Sequence, residues 1–200
     1  MRKIETPALI AATVGPLMTI AGFTIAEASW HGFDPVVHTI SALAANDAPT
    51  IVFMSTIFIL TGLADITVGW YAKSFGVPGR LAILFAGVAT FALTLFNTPS
   101  QTRESPLHQA CAIIAFSLLA FWPILAVRRG DDVPPMLRAL PGLIATIVLV
   151  SVCLWFLYTW ISPSSHIEGL TERIGVAVEG AYPMFVVWHS WFWQRKRAGL

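Results

Sequence analysis

Charged residues are scarce in this chain. Asp, Glu, Lys and Arg make up 12% of its 200 residues, hydrophobic residues make up 56%, and the mean hydropathy is +0.72. Soluble domains carry about 25% charged residues, so the composition excludes a water-soluble globule. It also excludes intrinsic disorder, which requires low hydrophobicity and high net charge. The composition therefore indicates an integral membrane protein with the lipid bilayer as its main partner.

The chain also lacks a basic excess and a cysteine framework. Its formal net charge is +1, whereas nucleic-acid binding requires a strongly basic face, so no nucleic-acid partner is expected. Two cysteines are too few for a disulfide-stapled domain. We expect Cys111 and Cys153 to be free thiols that pack as small apolar side chains.

Long hydrophobic runs, in contrast, are abundant. A bilayer core about 30 Å thick requires roughly 20 apolar residues in a helix. Six runs meet this length: Pro7 to Ala28, Thr50 to Ala72, Val77 to Phe96, Pro106 to Val127, Met136 to Ile161 and Glu172 to Gln194. No alternating ten-residue segments of the kind found in β-barrels are present. The sequence predicts an all-α bundle of six transmembrane helices that forms a single domain over residues 1–200.

Basic residues mark one side of the predicted bundle. Ten of the 12 Lys and Arg residues fall before the first span, between alternate spans or after the last: Arg2, Lys3, Lys73, Arg80, Arg128, Arg129, Arg138, Arg195, Lys196 and Arg197. Only Arg103 and Arg173 fall on the other side. The positive-inside rule then predicts a multi-pass protein of the plasma or inner membrane with both termini in the cytoplasm.

The first span has a second interpretation. A basic start, an apolar stretch and Ala26-Glu27-Ala28 resemble a cleavable signal peptide whose mature chain would begin at Ser29. The apolar stretch is about twenty residues, which is longer than the usual signal core. We therefore expect an uncleaved first span, and cleavage is the alternative.

The predicted outer side carries most of the histidines. In the longest connector, Asp34 and Pro35 are a typical N-cap and first residue of a short interfacial helix that would place His38 and Ser41 on one face. The order of cap, proline and histidine recurs at Ser105, Pro106 and His108, and Pro163 precedes His166.

A neutral imidazole near a helix N-terminus suits a metal, a haem or a plain hydrogen bond. His38, His108 and His166 are thus candidate zinc ligands, and two outer histidines such as His38 and His108 are candidate ligands of haem b.

Ionisable residues occur inside the predicted spans. A charge at a helix centre costs about 2.5–3.5 kcal/mol, so such residues face a partner or water. Asp65, Glu179 and Glu27 are the carboxylates in question, and Glu172 and Arg173 open the last predicted span. We predict that Arg173 pairs with Glu27 or Glu179, or binds an anionic ligand.

Several short motifs resemble a bacterial and archaeal membrane family known as domain of unknown function 998. They are His38-Thr39-Ile40-Ser41-Ala42-Leu43, Phe58-Ile59-Leu60-Thr61-Gly62-Leu63, His108 with Ala110 and Ala112, and Gly169-Leu170-Thr171-Glu172-Arg173-Ile174. The resemblance implies a six-helix topology. It also points to the outer face as the place of a site, at His38, Ser41, His108, Glu172 and Arg173. It implies no activity. Ala42 stands where the family often has an acidic residue.

The functional expectation is that an outer polar site formed by His38, Ser41, His108, Glu172, Arg173, Glu179 and Glu27 binds a lipid or small amphipathic ligand. The alternatives are a zinc-dependent membrane hydrolase that uses the three histidines with Glu172 or Asp34, a protein that binds haem b, and a proton-coupled transporter that uses Asp65 and Glu179. Whether the chain is an enzyme stays open at this point.

Overall fold

A computed structural model describes residues 3–103, 105–162 and 164–199. Arg2, a predicted cytoplasmic charge, and Pro163, which precedes His166, lie outside the described residues. The described chain is built from six α-helices and two short 3₁₀ helices, at Ser41–Ala44 and Pro135–Leu137. The α-helices are α1 Thr6–Ser29, α2 Ile51–Tyr71, α3 Val77–Ala92, α4 Pro106–Leu125, α5 Ala139–Ile161 and α6 Glu168–Arg197.

Residues at the helix ends explain where several helices begin and stop. The Ser105 side chain caps α4 by accepting a bond from the His108 backbone N–H at 3.4 Å, and Pro106 takes the first position, as the sequence predicts. A proline also occupies the first turn of α1 and of α3. The last turn of α6 carries three basic residues, which stabilise the negative end of the helix dipole.

The six helices form a closed antiparallel ring. Each helix packs against its neighbour in the chain, and α6 also packs against α1. Thr159 of α5 bonds Thr171 of α6 at one level, and Cys153 bonds Glu179 two turns away, so α5 and α6 run in opposite directions. Glu27 bonds Arg173 near one end of α1, and Thr13 bonds Trp188 further along it, so α6 is antiparallel to α1 as well.

The ring has two chemically different ends. The termini end holds both chain ends, where the backbone N–H of Ile4 donates to the Gln194 side chain. The opposite end, called the His38 end below, is formed by the connectors over residues 30–50, 93–105 and 162–167. A buried hydrophobic cluster lies towards each end, around Trp122 at the termini end and around Leu43 at the His38 end.

Close backbone contact between α2 and α3 depends on glycine. A Cβ atom on Gly62 would lie 2.6 Å from the carbonyl oxygen of Gly87, and a Cβ on Gly87 would lie 2.5 Å from that of Gly62. Helices within a membrane associate largely through such small-residue contacts, because lipid provides no hydrophobic force between them. The pair therefore sets the distance between these two helices.

Four helices are long and apolar enough to cross a membrane by length and composition: α1, α2, α4 and α5. The predicted third and sixth spans differ from the helices observed. Helix α3 is apolar but has 16 residues and ends at Ala92, before Phe96. Helix α6 has 30 residues and begins at Glu168, one turn before the predicted start, so Glu172 and Arg173 lie in its second turn.

The short interfacial helix is a correction. Asp34 does not cap a helix at Pro35; its carboxylate accepts the Val36 N–H at 2.9 Å in a turn, and the His38 ring accepts the Asp34 N–H at 3.1 Å. The helical segment begins later, is a single 3₁₀ turn at Ser41–Ala44, and has Ala42, Leu43 and Ala44 buried within the protein. The side chain of Glu172 bonds the Ile40 N–H and so attaches this segment to α6.

Candidate functional site

Arg173 is the centre of a buried polar cluster at the His38 end. Its Nε and Nη2 atoms lie 2.9 Å and 2.8 Å from Glu27 Oε2, and the two side chains are 10% and 17% exposed. Its Nη1 donates to the backbone carbonyls of His38, at 2.9 Å, and Gly169, at 2.8 Å. Of the two partners predicted from sequence, the structure pairs Arg173 with Glu27, on the other side of the α1–α6 contact.

Two aromatic rings complete the surroundings of this guanidinium. The Arg173 Cζ atom lies 5.6 Å from the centre of the Phe23 ring and 5.8 Å from that of Phe33, which is cation–π distance. The partners of Arg173 come from three parts of the chain: Glu27 and Phe23 from α1, Gly169 from α6, and Phe33 and His38 from the connector over residues 30–50. Arg173 therefore joins these three parts. This arrangement is that of a structural ion pair.

Glu172 faces a different direction from its neighbour Arg173. It is 6% exposed, accepts the Ile40 N–H through Oε2, and lines two cavities that the Arg173 side chain does not line. Successive residues of a helix point about 100° apart, so the two side chains of this charged pair serve separate regions. Glu172 belongs to the interior of the ring.

His108 and Ser41 form a second buried pair. The His108 Nε2 atom lies 2.9 Å from Ser41 Oγ, and its Nδ1 atom lies 3.2 Å from the Phe96 carbonyl oxygen. His108 is 2% exposed, whereas His38 uses its Nδ1 to accept the Asp34 N–H at an exposed position. The predicted link between Ser41 and the outer histidines is thus formed with His108, across the bundle, rather than with His38.

The predicted zinc ligands are not brought together. Within residues 3–103, 105–162 and 164–199, no group of three or more His, Cys, Asp or Glu side chains is arranged to hold a metal ion. His166 is exposed on the connector before α6, and both ring nitrogens of His108 already have hydrogen-bond partners. The same two bonds occupy both ring nitrogens of His108, one of which haem ligation by His38 and His108 would require. The geometry therefore favours a structural role for His108.

A groove opens between α4 and α5. It has a volume of about 150 Å³ and is lined mainly by apolar and aromatic side chains of these two helices. Phe116 and Phe156 lie with ring centres 5.4 Å apart, and Phe156 stacks on Trp160 at 6.0 Å. Its polar lining includes Ser41, His108, Gln109 and Glu172, which all lie towards the His38 end.

A second cavity lies in the middle of the ring and has a volume of about 100 Å³. Two membrane-depth carboxylates, Asp65 of α2 and Glu179 of α6, line it. Thr19 and Thr61 also line it and are bonded to one another at 2.6 Å. The in-helix prolines Pro16 and Pro183 belong to its wall as well.

The groove and the central cavity adjoin one another. Four residues line both: Ser41, Ala112, Phe116 and Glu172. Cys153 lines the groove and donates from Sγ to Glu179 Oε1 at 2.8 Å, while Glu179 lines the central cavity. A single wall of polar and apolar side chains, from α4, α5, α6 and the Ser41–Ala44 turn, therefore separates the groove from the carboxyl groups of the central cavity.

Comparison with known proteins shows the family. A family model described as Protein of unknown function (DUF998) matches residues 13–189. The chain belongs to the DUF998 family. No curated protein and no solved structure gives a significant match. The DUF998 match covers every residue of the Arg173 cluster, of the groove and of the wall between the cavities. It also covers the central cavity, except for Ala11 and Ala12 in α1.

Sequence reasoning missed the groove of this DUF998 protein. Its α5 side is formed by Cys153, Phe156, Leu157 and Trp160, which are spaced three and four residues apart and so share one helical face. That spacing was visible in the sequence. The spacing did not predict a groove, because the side of a membrane helix that faces lipid and the side that faces a groove are both apolar. On α4, the polar residues that line the groove are His108, Gln109 and Ser117, and only His108 was singled out from the sequence.

Proposed function

We propose that this DUF998 protein crosses a plasma or inner membrane six times with both termini in the cytoplasm. Nine of the ten basic residues that indicate this orientation are described, and they lie at the termini end of the ring. The proposal places the His38 end outside the cytoplasm. In a chain whose two native cysteines are replaced by serine, an impermeant thiol reagent should label Ser164→Cys in intact cells but not Asp131→Cys. The reverse labelling would overturn the orientation.

We further propose that the protein binds a single-chain amphipathic molecule from the bilayer in the α4–α5 groove. The observation that carries this proposal is the gradient along the groove. Gln109 and His108 lie at the His38 end, whereas the part of the groove that extends towards the termini end is mainly apolar, with Ile113, Phe121 and Val150. A ligand with one polar end and one alkyl chain matches this order.

Gln109 is the polar side chain best placed to meet the ligand. It is half-buried and lines the groove, and its side-chain amide makes no hydrogen bond with any described residue. His108, in contrast, is held by Ser41 and by the Phe96 carbonyl. A neutral hydrogen bond contributes about 0.5–1.5 kcal/mol, so Gln109→Leu should weaken ligand binding by roughly twofold to tenfold.

Photo-crosslinking tests the location of the ligand. A monoacylglycerol with a diazirine in its alkyl chain is added to the protein in nanodiscs of neutral lipid, and crosslinked peptides are mapped by mass spectrometry. We expect crosslinks concentrated on α4 and α5. Leu154→Trp, which narrows the groove, should remove them.

Ile147→Trp is the matched control. Leu154 and Ile147 are both 57% exposed on α5 and lie two turns apart, but only Leu154 lines the groove. Crosslinks should persist in the Ile147 variant. Even labelling of all lipid-facing helices, or an equal effect of the two tryptophans, would show ordinary boundary lipid and overturn the proposal.

The second candidate function is proton-coupled transport. The observation that favours it is that Asp65 and Glu179 line one cavity at membrane depth, where ionisable residues commonly mark ion pathways. Proteoliposomes with an internal pH-sensitive dye test it. Proton uptake driven by a membrane potential should be present in the wild type and lost in Asp65→Asn. No flux in the wild type would reject this candidate.

A further inference from the structure

We infer that the ligand of the α4–α5 groove carries a hydroxyl group part-way along its alkyl chain. This inference rests on the proposed function and adds the chemical class of the ligand: a single-chain lipid with an oxygen atom within the chain as well as at the polar end. Ser117, which lines the groove two turns of α4 beyond Gln109, is the residue placed to bind that oxygen.

The Ser117 hydroxyl is exposed in the groove and has no hydrogen-bond partner among the residues that the structure describes. Serine and threonine on membrane helices commonly donate to the carbonyl four residues before them, which satisfies the hydroxyl where lipid offers no partner. Thr56 of α2 and Ser151 of α5 are also exposed, and they bond the carbonyls of Val52 and Ile147 at 2.8 Å in this way. Because Ser117 lacks this bond, its hydroxyl is available to a ligand.

Ser117 lies within the length of the groove rather than at its polar end. Its neighbour Phe116 contacts Phe156 of the antiparallel helix α5, with ring centres 5.4 Å apart. This register places Ser117 at the level of the α5 turn that contains Cys153 and Leu154, both of which line the groove. The alkyl chain of a ligand, rather than its polar end, therefore passes Ser117.

Gln109 and Ser117 together define two polar positions along the same side of the groove. Both side chains belong to α4 and line the groove, and they are separated by about 12 Å along the helix axis. An amide and a hydroxyl can each donate and accept a hydrogen bond. A ligand whose polar end meets Gln109 would place an oxygen in the middle of its chain beside Ser117.

The bilayer interior strengthens this preference. A plain alkyl chain in the groove would cover the Ser117 hydroxyl with hydrocarbon, and a hydroxyl on a lipid chain likewise lacks a partner among the tails of other lipids. Placing a polar group in an apolar environment is costly when it makes no hydrogen bond. Each hydroxyl therefore satisfies the other when a hydroxylated chain occupies the groove, so the groove favours such a chain over a plain one.

Competition between two matched lipids tests the inference. Monoolein and monoricinolein have the same glycerol head, chain length and double bond, and monoricinolein adds one hydroxyl in the middle of the chain. Each is titrated against the diazirine monoacylglycerol crosslink in nanodiscs of neutral lipid, and the values are corrected for partitioning into empty nanodiscs. We expect monoricinolein to compete about twofold to tenfold better, which is the ratio that one neutral hydrogen bond provides.

Three variants assign the effect to Ser117. Ser117→Ala should reduce competition by monoricinolein to the level of monoolein. Gln109→Leu should weaken both lipids by the same factor, because they share the glycerol head. Ser151→Ala is the matched control: Ser151 is also an exposed serine of a membrane helix, but it bonds the Ile147 carbonyl and does not line the groove. That variant should preserve the full preference for monoricinolein.

The outcomes separate this inference from the proposed function. If the two lipids compete equally and Leu154→Trp still removes the crosslink, the groove binds a single-chain amphipathic molecule but the inference about its chain is wrong. A preference for monoricinolein that survives in Ser117→Ala, or that Ser151→Ala also removes, overturns the inference as well. Loss of the crosslink itself in Ser117→Ala would show a structural role for Ser117 and would also overturn it. If neither lipid competes and no crosslink forms on α4 and α5, the proposed function itself fails.

Discussion

Two groups of ionisable residues lie inside the same helical ring and have opposite surroundings. Arg173 and Glu27 form a short ion pair with two further backbone bonds, and neither lines the groove or the central cavity. Asp65 and Glu179 line a cavity, and no described cation pairs with either of them. The first group holds elements together, whereas the second leaves polar groups beside open space. Stability and ligand binding should therefore respond to different substitutions.

The largest expected effect comes from breaking the ion pair. Arg173→Ala leaves Glu27 buried without its counter-charge and removes the bonds to the His38 and Gly169 carbonyls, so the free energy of unfolding should fall by about 3–5 kcal/mol. Thermal unfolding of the detergent-solubilised protein measures this loss. Lys73→Ala is the matched control, because the Lys73–Glu5 pair spans 2.6 Å but is 48% and 37% exposed. That variant should lose less than about 1 kcal/mol.

The second effect concerns the bond between Glu172 and the Ile40 N–H. Glu172→Ala removes a charged acceptor from a buried donor, which should cost about 1.5–3 kcal/mol, and Glu172→Gln should recover most of it. Hydrogen exchange of peptides that contain Ile40 should accelerate in the alanine variant alone. Equal exchange in both variants would mean that Glu172 does not hold this segment.

The third effect is smaller. Ser41→Ala removes the hydroxyl bonded to His108 Nε2, and we expect a loss of about 0.5–1.5 kcal/mol. A double-mutant cycle with His108→Ala measures the coupling between the two side chains. A coupling energy near zero would indicate that the hydrogen bond between Ser41 and His108 contributes nothing to the free energy of unfolding.

The smallest effect on stability is expected where the carboxylates line the cavity. Asp65→Asn and Glu179→Gln remove ionisable groups that have no cationic partner, so the free energy of unfolding should stay constant or rise by up to about 2 kcal/mol. The thermal unfolding midpoint compares these variants with Arg173→Ala. If these variants lost as much unfolding free energy as Arg173→Ala, the cavity carboxyl groups would be as important for stability as the ion pair, and the comparison would be wrong.

Much of the ring could be predicted from the sequence, and the physical reason is local. Apolar runs of spanning length must be helical because lipid offers no partner for the backbone, and Ser105 and Pro106 mark the start of α4 as predicted. The connector over residues 30–50 was predicted less well. Asp34 and Pro35 carry a helix-start signal, but the Val36 and His38 contacts close a turn there instead.

The candidate site could be predicted only in part. Arg173 and Glu27 are 146 positions apart, and the charges alone allowed either Glu27 or Glu179 as the partner. Likewise, Ser41 could be grouped with His38 by helical spacing, but its hydrogen bond is with His108. Which polar groups meet depends on how the ring closes, and this information is not present in any single segment.

The scarcity of charge by itself determined that this is a helical membrane protein, because so few charged residues cannot cover a soluble surface. It also determined which residues were worth attention, since every ionisable side chain in an apolar span needs a partner. Only the tertiary structure decided which of them have one. Closing α6 against α1 places Arg173 on Glu27, and the same packing leaves Asp65 and Glu179 beside an internal cavity, where no described cation pairs with them.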